Sequence, residues 1–248
     1  MIVEQNSEFK AMRLLVKYWY RKFSAYEIAK GADISAPMAY NILKKLTIKK
    51  VILRDDKKVQ LNFNNPFSYA FKLMYDSERM LDLSEEDQNR INHVFEVFSK
   101  EYDGDLLALI LFGSAASNEK TEKSDIDLLA IVKKKKEIDY GKKGLFNLGN
   151  LNIIEKERNE FENDYLLAND LILNALMNGI IIFDNEIIRF LLNKPVPMPS
   201  NQIIMEKKER LEVLKNRLFD LLKEENYDEL VEELRLFIIE KARIVLLQ

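Results

Sequence analysis

Two apolar runs, DLLALILFG (105–113) and DIDLLAIV (125–132), constrain the fold more than any other feature of the chain. Each is short, solidly apolar rather than alternating, and rich in branched residues, the pattern of a strand buried on both faces. Gly113 ends the first, Ser114 and a polar loop follow, and Asp125 and Asp127 open the second. Residues two apart on a strand share a face, so the two aspartates project together while Ile126 and Leu128 turn toward the core. Carboxylates held roughly 7 Å apart repel, and an apolar sheet offers little water to screen them. A divalent cation between them makes the arrangement favourable, and oxygen ligands alone suit magnesium or manganese rather than zinc. Gly113 closes the first run, where a glycine lets the backbone turn sharply and an anion come close. The Ser114 hydroxyl and the following amides can donate to phosphate oxygens. Phosphate donors beside metal-binding carboxylates are the equipment of phosphoryl transfer.

Composition removes other chemistries. The chain of 248 residues has no cysteine and one histidine, His93. Disulfides, thiolate metal sites and cysteine nucleophiles are excluded, and a Ser-His-Asp triad or a histidine-rich metal centre lacks its parts. His93 reads as a structural histidine beside an apolar helix face. No apolar run reaches the roughly 18 residues of a membrane span, and the opening MIVEQNSEFK has no secretory core. The expectation is a cytoplasmic protein without a membrane partner. Charge is uneven: residues 1–63 hold 13 Lys and Arg against 6 Asp and Glu, whereas the remainder holds 25 against 35. A basic front module joined to an acidic remainder points to an anionic partner such as nucleic acid.

The pattern divides the chain into residues 1–65, a helical connector 66–85, a sheet-containing domain 86–193, a linker 194–200 holding three of the five prolines, and a helical hairpin 201–248 turning near Glu225-Asn226. In the front module, Phe9, Met12, Val16, Trp19 and Phe23 form one helical stripe behind a Ser7 N-cap. Ser24 caps a second helix. Ser35 and Pro37 open a third, whose Met38, Ile42 and Leu46 face inward. VILRDDKKVQLNF reads as two strands about a turn at 54–58. Ser84 and Asp87 begin a helix as a capping box, with Ile91, Val94, Phe95 and Phe98 on its buried face. LGNLNIIE and IIIFDN supply two further strands.

Three helices followed by a hairpin over residues 7–63 resemble a winged helix-turn-helix domain. In that family the second helix of the motif enters the major groove, which makes Tyr40, Asn41, Lys44 and Lys45 the candidates for DNA contact, with Lys57 and Lys58 at the tip of the wing. A strand, Gly-Ser, ten residues and Asp-x-Asp on the next strand resemble the signature of the nucleotidyltransferase superfamily of DNA polymerase beta, within it the minimal nucleotidyltransferases. This resemblance covers about residues 86–193. It implies an α+β protein with a small mixed sheet, Ser114 with Gly113 on the tail of a nucleoside triphosphate, and Asp125 and Asp127 on Mg2+ or Mn2+. The family commonly carries a third carboxylate on the neighbouring strand; here the matching run LNII offers Asn152, and Glu155 three residues on points away on a regular strand. The arginine that often follows the Gly-Ser is replaced by Ala115 and Ala116, leaving Lys120 or Lys123 as loop substitutes. The run Lys133–Lys136 reads as a solvated turn. The C-terminal hairpin resembles the opening helices of HEPN-type domains without their Arg-x4-His motif, and suits a structural or homodimerising cap.

The combined expectation is a magnesium-dependent transferase moving a nucleoside monophosphate from a triphosphate to an acceptor hydroxyl, coupled to a DNA-binding front. Two alternatives stand beside it. One is a transcriptional regulator whose transferase fold has lost its chemistry and at most senses nucleotide. The other is an antitoxin that adenylylates a partner toxin, with a protein as acceptor.

Overall fold

The computed structural model describes residues 6–117 and 125–246. These form two compact units, one comprising residues up to Asn163 with Asp170–Val196, the other Asp164–Asn169 with the residues from Pro197 onward.

The first unit opens with helix α1 (Ser7–Lys17), strand β1 (Phe23–Ser24), helices α2 (Ala25–Gly31) and α3 (Ala36–Ile48), and strands β2 (Ile52–Asp55) and β3 (Lys58–Leu61). The strands make an antiparallel sheet in the order β1-β3-β2. Asn6, not Ser7, caps α1: its side chain accepts from Glu8 N–H at 2.9 Å. The apolar stripe outruns the helix, because Tyr18 leaves helical geometry at φ −120° and ψ 45°. Trp19 is still buried beyond the helix end, and Phe23 is buried on β1. Ser24 and Glu27 cap α2 reciprocally as a capping box, and the Ser35 hydroxyl accepts from Met38 N–H at α3. The inward face of α3 is Ala39, Ile42, Leu43 and Leu46, whereas Met38 points outward. The hairpin turn is tighter than five residues: Arg54, Asp55 and Lys58 belong to the strands, and Asp56 takes φ 51°.

Helices α4 (Pro66–Leu81) and α5 (Glu85–Tyr102) lead into the second sheet. It is built from β4 (Leu106–Phe112), β5 (Ile126–Val132), β6 (Leu151–Glu157) and β7 (Ile180–Asp184), with α6 (Gly113–Ser117) after β4, α7 (Arg158–Leu166) and α8 (Asp170–Asn178) after β6, and α9 (Ile187–Leu192) after β7. The order is β6-β5-β4-β7. β5 and β6 are parallel and the other pairs antiparallel, so the sheet is small and mixed. All seven residues of β4 are buried, as are six of seven in β5. At about 1.5–3 kcal/mol for each large side chain withdrawn from water, these two strands anchor the layer. Asp127 is the half-buried exception in β5.

Buried and half-buried polar contacts tie the front of the chain to the sheet and to the helices α8 and α9 beside it. Trp19 Nε1 donates to the Leu176 carbonyl at 3.2 Å, Arg189 Nε donates to that of Phe63 at 3.0 Å, and the Tyr69 hydroxyl donates to Asp184. Residues 66–81 therefore do more than connect. Asp76, fully buried, accepts both oxygens' worth of contact from Lys72 Nζ at 2.6 Å and also receives Ile181 N–H at 3.0 Å. Burial disfavours the charged form of Lys72 and pushes its pKa down.

The second unit contains the hairpin of α10 (Asn201–Lys223) and α11 (Tyr227–Leu246), turned at Glu225 with φ 56°. The Ser200 hydroxyl caps α10 by accepting from Ile203 N–H. Arg217 pairs with Glu229 and, at 3.1 Å, with Glu233 across the hairpin. Among the described residues no helix is long and apolar enough to cross a membrane.

Candidate functional site

The site forms where β4 ends, β5 begins and β6 runs beside it. Register places Asp127 between Phe112 on one side and Asn152 on the other. Gly113 follows Phe112 with φ +73°, a left-handed conformation that a side chain resists. A Cβ on Gly113 would collide with Asp127 Oδ2 and lie 3.3 Å from its Cγ. The missing side chain is thus the space the Asp127 carboxylate fills. From the other flank Asn152 Nδ2 donates to Asp127 Oδ1 at 2.9 Å. Ser114 is half-buried in the first turn of α6.

Asp125 is exposed and immediately precedes β5 instead of lying in it; the first paired residue is Ile126, whose N–H donates to the Asn150 carbonyl at 2.9 Å. The sequence places both aspartates on the strand, whereas only Asp127 is held in the ladder. Asn152 stands in register with Asp127 where an acid was sought. Glu155 is not brought to the site. It sits opposite Ala130 in an unbroken register, and its two carboxylate oxygens accept from the hydroxyls of Tyr102 and Tyr140. Burial and this shared carboxylate push both tyrosine pKa values up. Among the described residues no cluster of three or more His, Cys, Asp or Glu side chains is poised to hold a metal. By type, Asp125, Asp127 and Asn152 offer oxygen ligands without nitrogen or sulfur donors other than the Asn152 amide nitrogen, which is turned to Asp127; oxygen ligands suit a hard divalent ion.

Lys120 and Lys123 lie outside the described residues. Three of the Lys133–Lys136 side chains are engaged within the unit: Lys133 with Asp105 at 2.9 Å, Lys135 with Glu160 at 2.8 Å, and Lys136 with the Glu101 carbonyl at 3.1 Å. His93 is structural; its Nε2–H donates to the Lys143 carbonyl at 3.0 Å.

On the front module, Tyr40 and Lys44 of α3 line one small groove with Lys57 of the hairpin turn, and Arg54, which the sequence reading passed over, joins them. Asn41 is exposed on α3. Lys45 departs from this group, since its ammonium pairs with Glu8 of α1. Lys58 is exposed at the start of β3, and its charge helps to hold the Glu27 carboxyl below its usual range, after the larger effect of the Ser24 hydrogen bonds. Arg79 was also passed over. Its guanidinium joins Asp76 to the carbonyls of Ala116 and Asn178, both at 2.7 Å, and thereby fixes the end of α6 that follows the Gly113 turn.

Residues 90–187 match the family model described as polymerase beta, nucleotidyltransferase. The matched span contains the Gly113 turn, Asp125, Asp127 and Asn152, and it supports a nucleotidyltransferase domain in this part of the chain. No curated protein matches. Among solved structures the chain is similar to the crystal structure of a MarR family protein of Mycobacterium tuberculosis, at 18% identity, covering 38% of this chain and 72% of that one with a TM-score of 0.23.

Proposed function

We propose that the sheet domain is a divalent-metal-dependent nucleotidyltransferase that moves a nucleoside monophosphate from a triphosphate to an acceptor hydroxyl, and that a DNA-binding winged helix precedes it. The observation carrying the first part is the seating of the Asp127 carboxylate against the side-chain-free turn at Gly113, within the span matched by the nucleotidyltransferase family. In this reading Gly113 and Ser114 receive the triphosphate tail, with the serine hydroxyl donating to a phosphate oxygen. Asp125 and Asp127 hold magnesium, and Asn152 orients Asp127 through its amide while adding no charge. A bound divalent ion would offset the negative charge of the triphosphate. Without a third carboxylate as base, an acceptor hydroxyl would surrender its proton to water or to the acceptor's own groups.

Labelled triphosphates with magnesium, tested on the wild type and on Asp125→Asn and Asp127→Asn, examine this directly. Metal-dependent label transfer or pyrophosphate release, lost in both variants, is the expected result. Absence of either product with all four nucleotides would refute it.

One observation favours a second reading. Asn152 is already engaged with Asp127, and Glu155 is held by two tyrosines. A domain so equipped suits a regulator that binds nucleotide without turning it over. Nucleotide binding at Asp127 without product would select that alternative.

For the front module, Tyr40, Lys44, Lys57 and Arg54 are the groups we assign to DNA, with Asn41 and Lys58 at their margins. Lys44→Ala and Lys57→Ala should each weaken DNA binding and reduce the salt slope by about one. Lys45→Ala should leave both unchanged.

A further inference from the structure

Two adjoining depressions occupy the junction of the front helices with the sheet layer. The first, about 320 Å³, lies between the end of α1, α4, α6 and the end of α8. The second, about 370 Å³, continues between α1 and the end of α2. Lys17, Tyr18 and Tyr75 line both. Each volume falls at the small end of the range for small-molecule sites.

Charge here is lopsided, against the acidic character of the chain outside its front module. Lys72 and Arg79 line the first depression with Lys17, and among the described residues Asp82 is the one carboxylate that does so. Behind the wall a single buried carboxylate, Asp76, answers both Lys72 and Arg79. One positive charge is left over in surroundings where charge is poorly screened. Arg79 is a fixed charge, because its terminal nitrogens are taken by the carbonyls of Gly179, Ala116 and Asn178. Lys72 is 3% exposed and, among the described residues, donates to Asp76 alone. An ammonium carries three N–H groups, so a donor remains on a side chain that lines the cavity. Lys17 is exposed and forms no ion pair among the described residues; its ammonium stands 5.3 Å from the Tyr18 ring centroid. Arg79 stands 5.7 Å from that of Tyr75. Each of the two tyrosine rings lining the depression thus has a cation beside it.

We propose that this junction binds a small aromatic anion, by chemical class a nucleoside monophosphate, with Lys17 and Lys72 answering the phosphate and Tyr18 and Tyr75 receiving the base. The modest surplus of positive charge and the small volume suit one phosphate rather than a triphosphate tail. Its walls join Ala115–Ser117, directly after the Gly113-Ser114 turn, to the last turn of α1 in the front module. An occupant touches both, and so links the two halves of the unit. The inference does not depend on the transferase reading.

The test is equilibrium binding of radiolabelled AMP to the full chain in EDTA, which silences any metal-dependent site. Saturable binding is expected, weakened about tenfold or more by Lys17→Glu, less by Lys17→Met, and also by Tyr75→Ala. Adenosine and inorganic phosphate should each compete at least about tenfold less well than AMP, since each lacks one half of the recognised group. Asp127→Asn should leave binding unchanged. Failure to saturate below about 1 mM overturns the proposal. So does phosphate competing as well as AMP, or binding that is lost in Asp127→Asn and kept in Lys17→Glu, which would assign the nucleotide to the Gly113 turn. Lys17 is exposed, so its variants retain the fold.

Discussion

Replacing Gly113 with alanine tests whether the Asp127 carboxylate owes its position to the missing side chain. Two penalties arise, and they can be separated. The first is conformational: a non-glycine residue at φ +73° costs about 1–2 kcal/mol. The second is local: the new Cβ would overlap Asp127 Oδ2, and β5 is paired on both sides of Asp127, so the carboxylate has to swing away. That swing breaks the Asn152 hydrogen bond, worth about 1 kcal/mol. Gly104 supplies the control, because it takes φ +84° with nothing within 4 Å of its would-be Cβ. Gly104→Ala therefore carries the conformational penalty alone. For a unit of this size about 1 kcal/mol shifts Tm by roughly 2–4 °C. Gly104→Ala should lower Tm by about 2–8 °C, and Gly113→Ala by a few degrees more. The transfer assay should separate them far more widely. Displacing a positioned group by about 1 Å can cost about 100-fold, so Gly113→Ala should lose about two orders of magnitude while Gly104→Ala retains its rate. Differential scanning calorimetry and label transfer on both variants supply the comparison. Equal rates in the two would refute the claim that this turn seats the carboxylate.

Asn152→Asp replaces a donor to Asp127 with a like charge, so Tm should fall in EDTA and recover with magnesium more than the wild type does; a magnesium-independent Tm would argue against a shared ion. Asp76→Asn keeps an acceptor for Ile181 N–H but strips Lys72 of its counter-charge, and should cost about 3 kcal/mol by urea unfolding. Glu27 is held below its ordinary carboxyl pKa by the Ser24 backbone and hydroxyl hydrogen bonds. Its stabilisation is present above pH 4.5 and is lost as pH falls through the lowered value in the folded state, so Glu27→Gln should flatten the acid limb of a stability–pH profile without altering the alkaline one.

Most of what organises the candidate site is short-range, and that is why it can be read along the chain. Solid apolar runs mark β4 and β5, Gly113 ends one of them, and the hydroxyls of Ser24, Ser35 and Ser84 fall at helix starts. The α3 error has a local cause as well: a stripe counted from Met38 through Ile42 to Leu46 competes with one counted from Ala39 to the same Ile42 and Leu46, and the small alanine is easily outweighed although it is fully buried. Other features depend on partners far away in sequence. Lys72 and Asp76 four apart on a helix read as an exposed pair, and only the approach of β7, through Ile181, makes Asp76 a buried carboxylate. Glu155 is held by tyrosines 53 and 15 residues away. The end of α1 has no glycine or proline to announce it, yet the chain leaves the helix so that Trp19 can reach the Leu176 carbonyl, 157 residues on. The same asymmetry explains the site's incompleteness. Asp127 and Gly113 are set by their own strands, whereas register alone determines which residue of β6 arrives beside Asp127. Register delivers Asn152. Whatever chemistry survives there must work with an amide that steadies Asp127 but cannot take a proton, and this makes magnesium-dependent product formation the measurement on which the transferase and regulator readings part.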